Sequence, residues 1–178
     1  MRDLIIRFMK INVIAVGKIK EKYLKDAIDE YSKRLSKFCT LNIIEVDEVV
    51  AKVENESNIK KSLETEGKAI LSKLNELDKK HSCNSNSYGT YIFVLDIDGK
   101  ELSTVDFQKK ISDIKLNSIS DIVFIIGGSY GLSDEVKKKA QMRLSFSKMT
   151  FPHQLFRVIL LEQIYRVFKI ENNEPYHK

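Results

Sequence analysis

The sequence predicts an α/β domain whose sheet is mostly parallel and flanked by helices. Three observations carry that prediction. Short apolar runs recur along the chain, and each is followed by a stretch of helical period, the pattern of strands joined by crossover helices. One of those runs, DIVFII, leads straight into a glycine-rich turn and a capped helix start. Finally, 178 residues with 43% hydrophobic and 31% charged side chains suffice for one core, with room for little more than a small appendage.

In chain order, strands are expected at Ile11–Val16 (INVIAV), Leu41–Val46 (LNIIEV), Tyr91–Leu95 (YIFVL), Asp121–Ile126 (DIVFII) and, briefly, Leu144–Phe146. Helices are expected near Glu21–Phe38, Asn58–Leu77, Thr104–Lys115, Asp134–Arg143 and His153–Lys169. Ser103 precedes Asp106 at capping-box spacing, and Ser133 precedes Asp134 and Glu135 in a first turn. The polar segment HSCNSNSYG, residues 81–89, reads as a surface loop, and Val50–Ser57 as another connection. LSFS and KMTFP crowd together just before the last helix, close to strand ends, where α/β sheets place ligands.

Several function classes are disfavoured. No apolar run is long enough for a membrane span. The opening MRDLIIRFMK is too short and too charged for a signal peptide, so a cytoplasmic location is expected. Cys39 and Cys83 lie far apart, and His81, His153 and His177 form no HExxH, so neither a disulfide framework nor a metal site is expected. A net charge of +5 and a pI near 9.0 favour a polyanionic partner, although a lysine-rich surface that merely aids solubility explains them equally well.

The clearest motif is Gly127-Gly128-Ser129-Tyr130-Gly131. Glycines here admit either a ligand-binding floor or a tight strand-to-helix turn. The same residues match G-x-S-x-G, the nucleophile elbow of α/β hydrolases, with Ser129 as nucleophile. That reading is the weaker one. Asp134 is the only aspartate after Ser129 and stands too close to serve as a triad acid, and Glu162 or Glu171 with His177 would be an odd substitute.

On a helical wheel of the last helix, Leu160, Leu161, Ile164, Val167 and Phe168 form an apolar arc with His153 and Arg157 on its N-terminal end. Glu162, Arg166 and Lys169 fall opposite. A buried arginine needs a partner, so the pair is either a satisfied polar contact or part of a site beside the strand-end loop, and the site is favoured. Val158, Ile159 and Tyr165 widen the stripe, which fits either a central helix or a helix shared across a two-fold axis. The chain ends in Tyr176-His177-Lys178, residues able to stack on a base and meet a phosphate.

FIIGGSYGL, then LSFSKMTFPHQLFRVILLEQIYRVFKI and the PYHK ending, closely resembles the ribosomal RNA large subunit methyltransferase H family of the SPOUT class. The resemblance runs from about Met9 to Lys178 and is densest over the last fifty residues; Met1–Phe8 stand before the family's usual start, which makes Met9 the expected initiator. It implies a single α/β knot domain over residues 1–178 with a deep C-terminal trefoil knot, S-adenosyl-L-methionine as cofactor, and methylation of N3 of a pseudouridine in 23S ribosomal RNA. It also implies a homodimer acting on RNA or ribosome, with no membrane and no metal. The donor is expected against Leu95, Gly127, Gly128 and the run Phe146, Ser147, Lys148, Met149, Thr150 and Phe151. His153 and Arg157 are expected to face the pocket, with Tyr176 and His177 closing over a flipped-out base from the partner subunit. Glu162 is expected to position Arg166 or the dimer seam. The rival class, an RNA-binding factor that kept the scaffold, would fail to bind the donor.

Overall fold

The computed structural model describes residues 9–51, 53–82 and 89–176; Met1–Phe8, Cys83, most of the expected 81–89 loop, His177 and Lys178 lie outside the described residues. Among the described residues five strands alternate with five helices. They are β1 (Met9–Val16), α1 (Lys22–Leu35), β2 (Cys39–Val46), α2 (Glu56–Ser82), β3 (Thr90–Glu101), α3 (Thr104–Leu116), β4 (Asp121–Ile126), α4 (Asp134–Lys137), β5 (Met142–Ser145) and α5 (His153–Glu171). The strands form one sheet in the order β2-β1-β4-β3-β5, with every pairing parallel.

Parallel strands need both faces covered, and the side-chain alternation shows how. Ile11, Val13 and Ala15 of β1 point with Ile122, Phe124 and Ile126 of β4 into a cluster shared with Leu24 and Ile28 of α1, Phe107 and Ile111 of α3, and Leu160, Leu161 and Ile164 of α5. Their neighbours Ile14, Val16, Val123 and Ile125 point the other way, onto Ile70 and Leu74 of α2 and Val136 of α4. Each such fully buried side chain contributes about 1.5–3 kcal/mol relative to exposure. DIVFII is buried at all six positions because it runs through the middle of the sheet.

Several boundaries differ from the sequence expectation, four of them with consequences for the sheet and the site. α4 is one turn, not a helix to Arg143, because Gln141 is captured by the sheet. Its backbone N–H donates to the Ile92 carbonyl at 3.0 Å, and its Oε1 accepts the Ile92 N–H at 2.7 Å, so Met142 and Arg143 continue as strand. β3 runs past Leu95 to Glu101, and its pairing with β5 shifts register between Leu95 and Lys100. Gly99 permits this: a Cβ there would lie 2.8 Å from the backbone of Arg143 and Leu144. α2 is longer than expected and takes in His81 and Ser82. Phe146 falls just beyond the end of β5.

Of the two helix starts, Ser103 caps as its spacing predicts, its Oγ accepting the Asp106 N–H at 3.1 Å. Ser133 makes no side-chain cap; its hydroxyl is buried against α2, 2.4 Å from where a Cβ on Gly67 would stand. α5 packs against α1 and α3 on one face of the sheet, which brings its N-terminus to the C-terminal ends of the strands.

Candidate active site

β4 ends at Ile126 and β5 at Ser145, and the register sets those ends beside the point where β3 breaks its pairing: Leu95 of β3 pairs with Ile126 on one side and Leu144 on the other. The chain leaving each of these points helps enclose a cavity of about 520 Å³. That is within the range of small-molecule sites. Leu95, Ile126, Leu132, Leu144 and Phe146 make its walls apolar, while the glycine turn and the 147–151 segment supply polar backbone.

Of the residues expected to hold a donor, Leu95, Gly127, Gly128, Phe146, Ser147, Met149, Thr150 and Phe151 line this cavity. Lys148 belongs to the same segment but is exposed and off the wall. The glycines are demanded by the protein itself. A Cβ on Gly127 would stand 2.4 Å from the Gly131 carbonyl oxygen, and one on Gly128 would stand 2.9 Å from Val16 Cγ1. Gly131, at φ +84°, closes the turn by donating its N–H to the Gly128 carbonyl at 3.1 Å. The turn is therefore tight and also a cavity wall; the two readings were not exclusive.

Ser129 does not have the surroundings of a nucleophile. Its Oγ donates to Glu48 Oε1 at 2.8 Å, so its proton is committed to a carboxylate. This removes the main attraction of the hydrolase reading.

His153 lies at the first position of α5 and lines the cavity. Its Nε2 packs over Gly17, 3.2 Å from where a Cβ would stand, a position whose φ of +84° favours glycine in any case. Arg157, one turn on, is not on the cavity wall. It is 1% exposed and points the other way, into the ends of β1 and β2. Nη1 meets Glu45 Oε1 at 2.7 Å, and Nη2 donates to the carbonyls of Val16 at 2.9 Å and Gly17 at 2.6 Å. Burial pushes its pKa down, opposed by the hydrogen bond and charge of Glu45. Arg157 thus secures the turn that carries His153.

Tyr176 sits beside the second half of α5, away from the cavity of its own chain. Its hydroxyl donates to Glu162 Oε2 at 3.2 Å, its ring stands edge-on to Tyr165 at 5.1 Å, and the Arg166 guanidinium covers it at 5.1 Å. Glu162 also accepts from Arg166 Nε at 2.6 Å, in keeping with the expected partnership of those two residues.

Sequence reasoning missed Asp96 and Lys137, which line the cavity. Burial alone would raise the pKa of Asp96, but hydrogen bonds from Arg143 and Lys137 hold it below the usual carboxylate range. Arg143 Nη2 lies 2.6 Å and Lys137 Nζ 3.2 Å from Asp96 Oδ2. Its place just after a strand end was the available signal. Among the described residues no group of three or more His, Cys, Asp or Glu is placed to hold a metal ion, and no helix is long and apolar enough to cross a membrane.

Comparison with known proteins agrees with this geometry. The chain is 51% identical over 171 residues to ribosomal RNA large subunit methyltransferase H 1 of Clostridium perfringens (strain SM101), covering 96% of this chain and 100% of that one. It is 52% identical over 172 residues to ribosomal RNA large subunit methyltransferase H of Clostridioides difficile (strain 630), again covering 96% and 100%. Among solved structures it is similar in fold to the A. aeolicus TrmH/SpoU tRNA modifying enzyme, with a TM-score of 0.50 at 13% identity over 97% of this chain and 83% of that one. A similar match, TM-score 0.51 at 10% identity over 94% and 62%, is to the SpoU methyltransferase AviRb from Streptomyces viridochromogenes. The family described as predicted SPOUT methyltransferase matches residues 9–177. With that match added to the cavity at the ends of β4 and β5, the chain belongs to the SPOUT methyltransferases.

Proposed function

We propose that this protein is a cytoplasmic, S-adenosyl-L-methionine-dependent methyltransferase that modifies N3 of a pseudouridine in 23S ribosomal RNA, working as a homodimer. The observation that carries the reading is the cavity where β4 and β5 end beside Leu95 of β3, in a chain about half identical, over 96% of its length, to enzymes named for methylating large-subunit ribosomal RNA.

The donor supplies a methyl group on a positive sulfonium, open to in-line displacement. The protein's task is then mostly orientation. The cavity fits it: Leu95, Ile126, Leu144 and Phe146 offer apolar surface for a flat ring, and Gly127, Gly128, Ser147 and Thr150 offer polar groups to its edges. His153 stands on the wall, placed to contact the acceptor base or hold its N3 proton. Arg157 acts behind it by fixing the first turn of α5. The dimer is supported by Tyr176. It packs beside the second half of α5, off its own cavity, so a tail that closes a site would close the partner's. Exposed Met149 and Phe151 on the rim add apolar surface for that contact.

The test is methyl transfer from labelled donor to large subunits or assembled ribosomes lacking the modification. Label on a single pseudouridine of 23S RNA supports the proposal. A folded protein that binds donor but labels no ribosomal RNA overturns the substrate.

A further inference from the structure

None of the described residues of the segment joining β2 to α2 lines the cavity, yet several of their contacts end on the wall's supports. Glu48 Oε1 accepts the Ser129 hydroxyl at 2.8 Å, at the tip of the glycine turn. Glu48 Oε2 faces Gly17, 3.5 Å from the place of a Cβ, where the His153 imidazole packs at 3.2 Å. Six residues on, Glu54 accepts the Tyr130 hydroxyl at 3.3 Å. The buried Glu66 of α2 anchors the segment by accepting the Val49 N–H at 2.8 Å, its Oε2 lying 3.4 Å from where a Cβ on Gly128 would stand. Ser129, Tyr130 and His153 all line the cavity. One carboxylate therefore stands behind two walls that come from different elements, the turn after β4 and the first turn of α5.

We propose that Glu48 is a positioning residue of the methyl-donor site, holding the glycine turn at Ser129 while backing the space over Gly17 that seats His153. The proposal rests on the reading that the cavity takes S-adenosyl-L-methionine. A glycine turn has little rigidity of its own, so its tip has to be fixed by something outside it. Ser129 and Tyr130 at that tip both donate to carboxylates of the same connecting segment. That arrangement preorganises the floor before the donor arrives, which lowers the ordering cost of binding.

The experiment is titration of S-adenosyl-L-methionine into the wild-type protein and the variants Glu48→Ala, Glu48→Gln, Ser129→Ala and the Glu48→Ala/Ser129→Ala pair, with melting curves alongside. Each alanine variant is expected to bind roughly five- to tenfold more weakly, the scale of one ordinary hydrogen bond lost at an exposed site. The pair should be no weaker than Glu48→Ala alone, because both changes break one link. Glu48→Gln should stay within about twofold of wild type, since its amide oxygen accepts the same hydroxyl. In Ser129→Ala turnover, KM for the donor should follow the binding constant while kcat at saturating donor holds, because Ser129 does not touch the seat of His153. A well-folded Glu48→Ala that binds like wild type overturns the proposal, as do losses that simply multiply in the pair. Should Glu48→Ala fail to fold, Ser129→Ala carries the test, and wild-type affinity there overturns it. A wild-type protein that binds no donor overturns the methyltransferase reading and this proposal with it; wild-type binding matched by every variant overturns this proposal alone.

Discussion

The guanidinium of Arg157 meets the carboxylate of Glu45 at 2.7 Å, tying the first turn of the last helix to the second strand 112 residues earlier. Glu45 Oε1 also accepts the Ile19 N–H at 3.1 Å, so one side chain joins β2, the β1–α1 connection and α5. Breaking a buried ion pair from one side is expensive because the remaining polar groups lose their partner. Arg157→Met strands the Val16 and Gly17 carbonyls and is expected to cost about 3 kcal/mol, the low end of the range since Glu45 reaches solvent. Urea unfolding measures this. Donor affinity in the folded fraction should fall less than stability does.

Asp96 should make itself felt on the acid side. Its folded-state pKa is depressed, chiefly because the Arg143 and Lys137 hydrogen bonds outweigh the effect of burial. Such a group stabilises the fold above its unfolded pKa, near 3.9, and that stability is lost as pH falls through the folded value. Asp96→Asn should therefore be less stable than wild type at pH 7, with the gap closing as the pH is lowered below about 4. Melting temperatures across that range decide the matter, and a gap independent of pH would contradict it.

Glu66 should behave in the opposite sense. Burial raises its pKa, the Val49 N–H opposes that, and the charge of Glu48 raises it further. A raised folded pKa means that stability is fully present below the unfolded value, about 4.3, and is lost as pH rises through the folded value. Glu66→Gln keeps an acceptor for Val49 without the charge. It should melt higher than wild type at pH 8 and show no advantage at pH 4.

Alanine at Gly127 should be among the most damaging substitutions in the cavity. Its Cβ meets the Gly131 carbonyl oxygen at 2.4 Å and Leu132 Cγ at 2.9 Å, and the backbone contact cannot rotate away. The turn has to open, at a cost of about 2 kcal/mol or more. Donor binding measured by calorimetry should become undetectable, whereas RNA affinity, set by the charged surface, should persist.

The proposed division of the site between two subunits can be tested by mixing. A chain lacking residues 175–178 and a chain carrying Gly127→Val should each be inactive. Co-expressed, they should regain about a quarter of wild-type activity, because half of the dimers would pair an intact cavity with an intact tail. No recovery in verified mixed dimers would mean that the tail serves its own chain.

Much of this fold is legible in the sequence because it is local. INVIAV and DIVFII read as strands from composition alone, and they are the two central ones of the first four in the sheet. Where a distant partner decides, local reading fails. Nothing near Gln141 indicates that Ile92 will draw it out of a helix. The helical wheel placed Arg157 on the buried face correctly, but the wheel holds no information about Glu45, and the structure turns that side chain toward the strands instead of the cavity. Asp96, Glu48 and Lys137 are ordinary surface residues by composition and owe their positions to strand ends that only the sheet brings together. The trefoil knot belongs to the family's fold and leaves no mark in periodicity, since general topology rules argue against threading.

The central claim is that the cavity at the ends of β4 and β5, beside Leu95 of β3, holds a methyl donor. Calorimetric titration of S-adenosyl-L-methionine into the wild-type protein and Gly127→Val tests it most directly. Saturable binding of one donor per cavity in the wild type, abolished in the folded variant, is the predicted result. Equal binding by both proteins would place the donor elsewhere, and no binding by a well-folded wild-type protein would contradict the account.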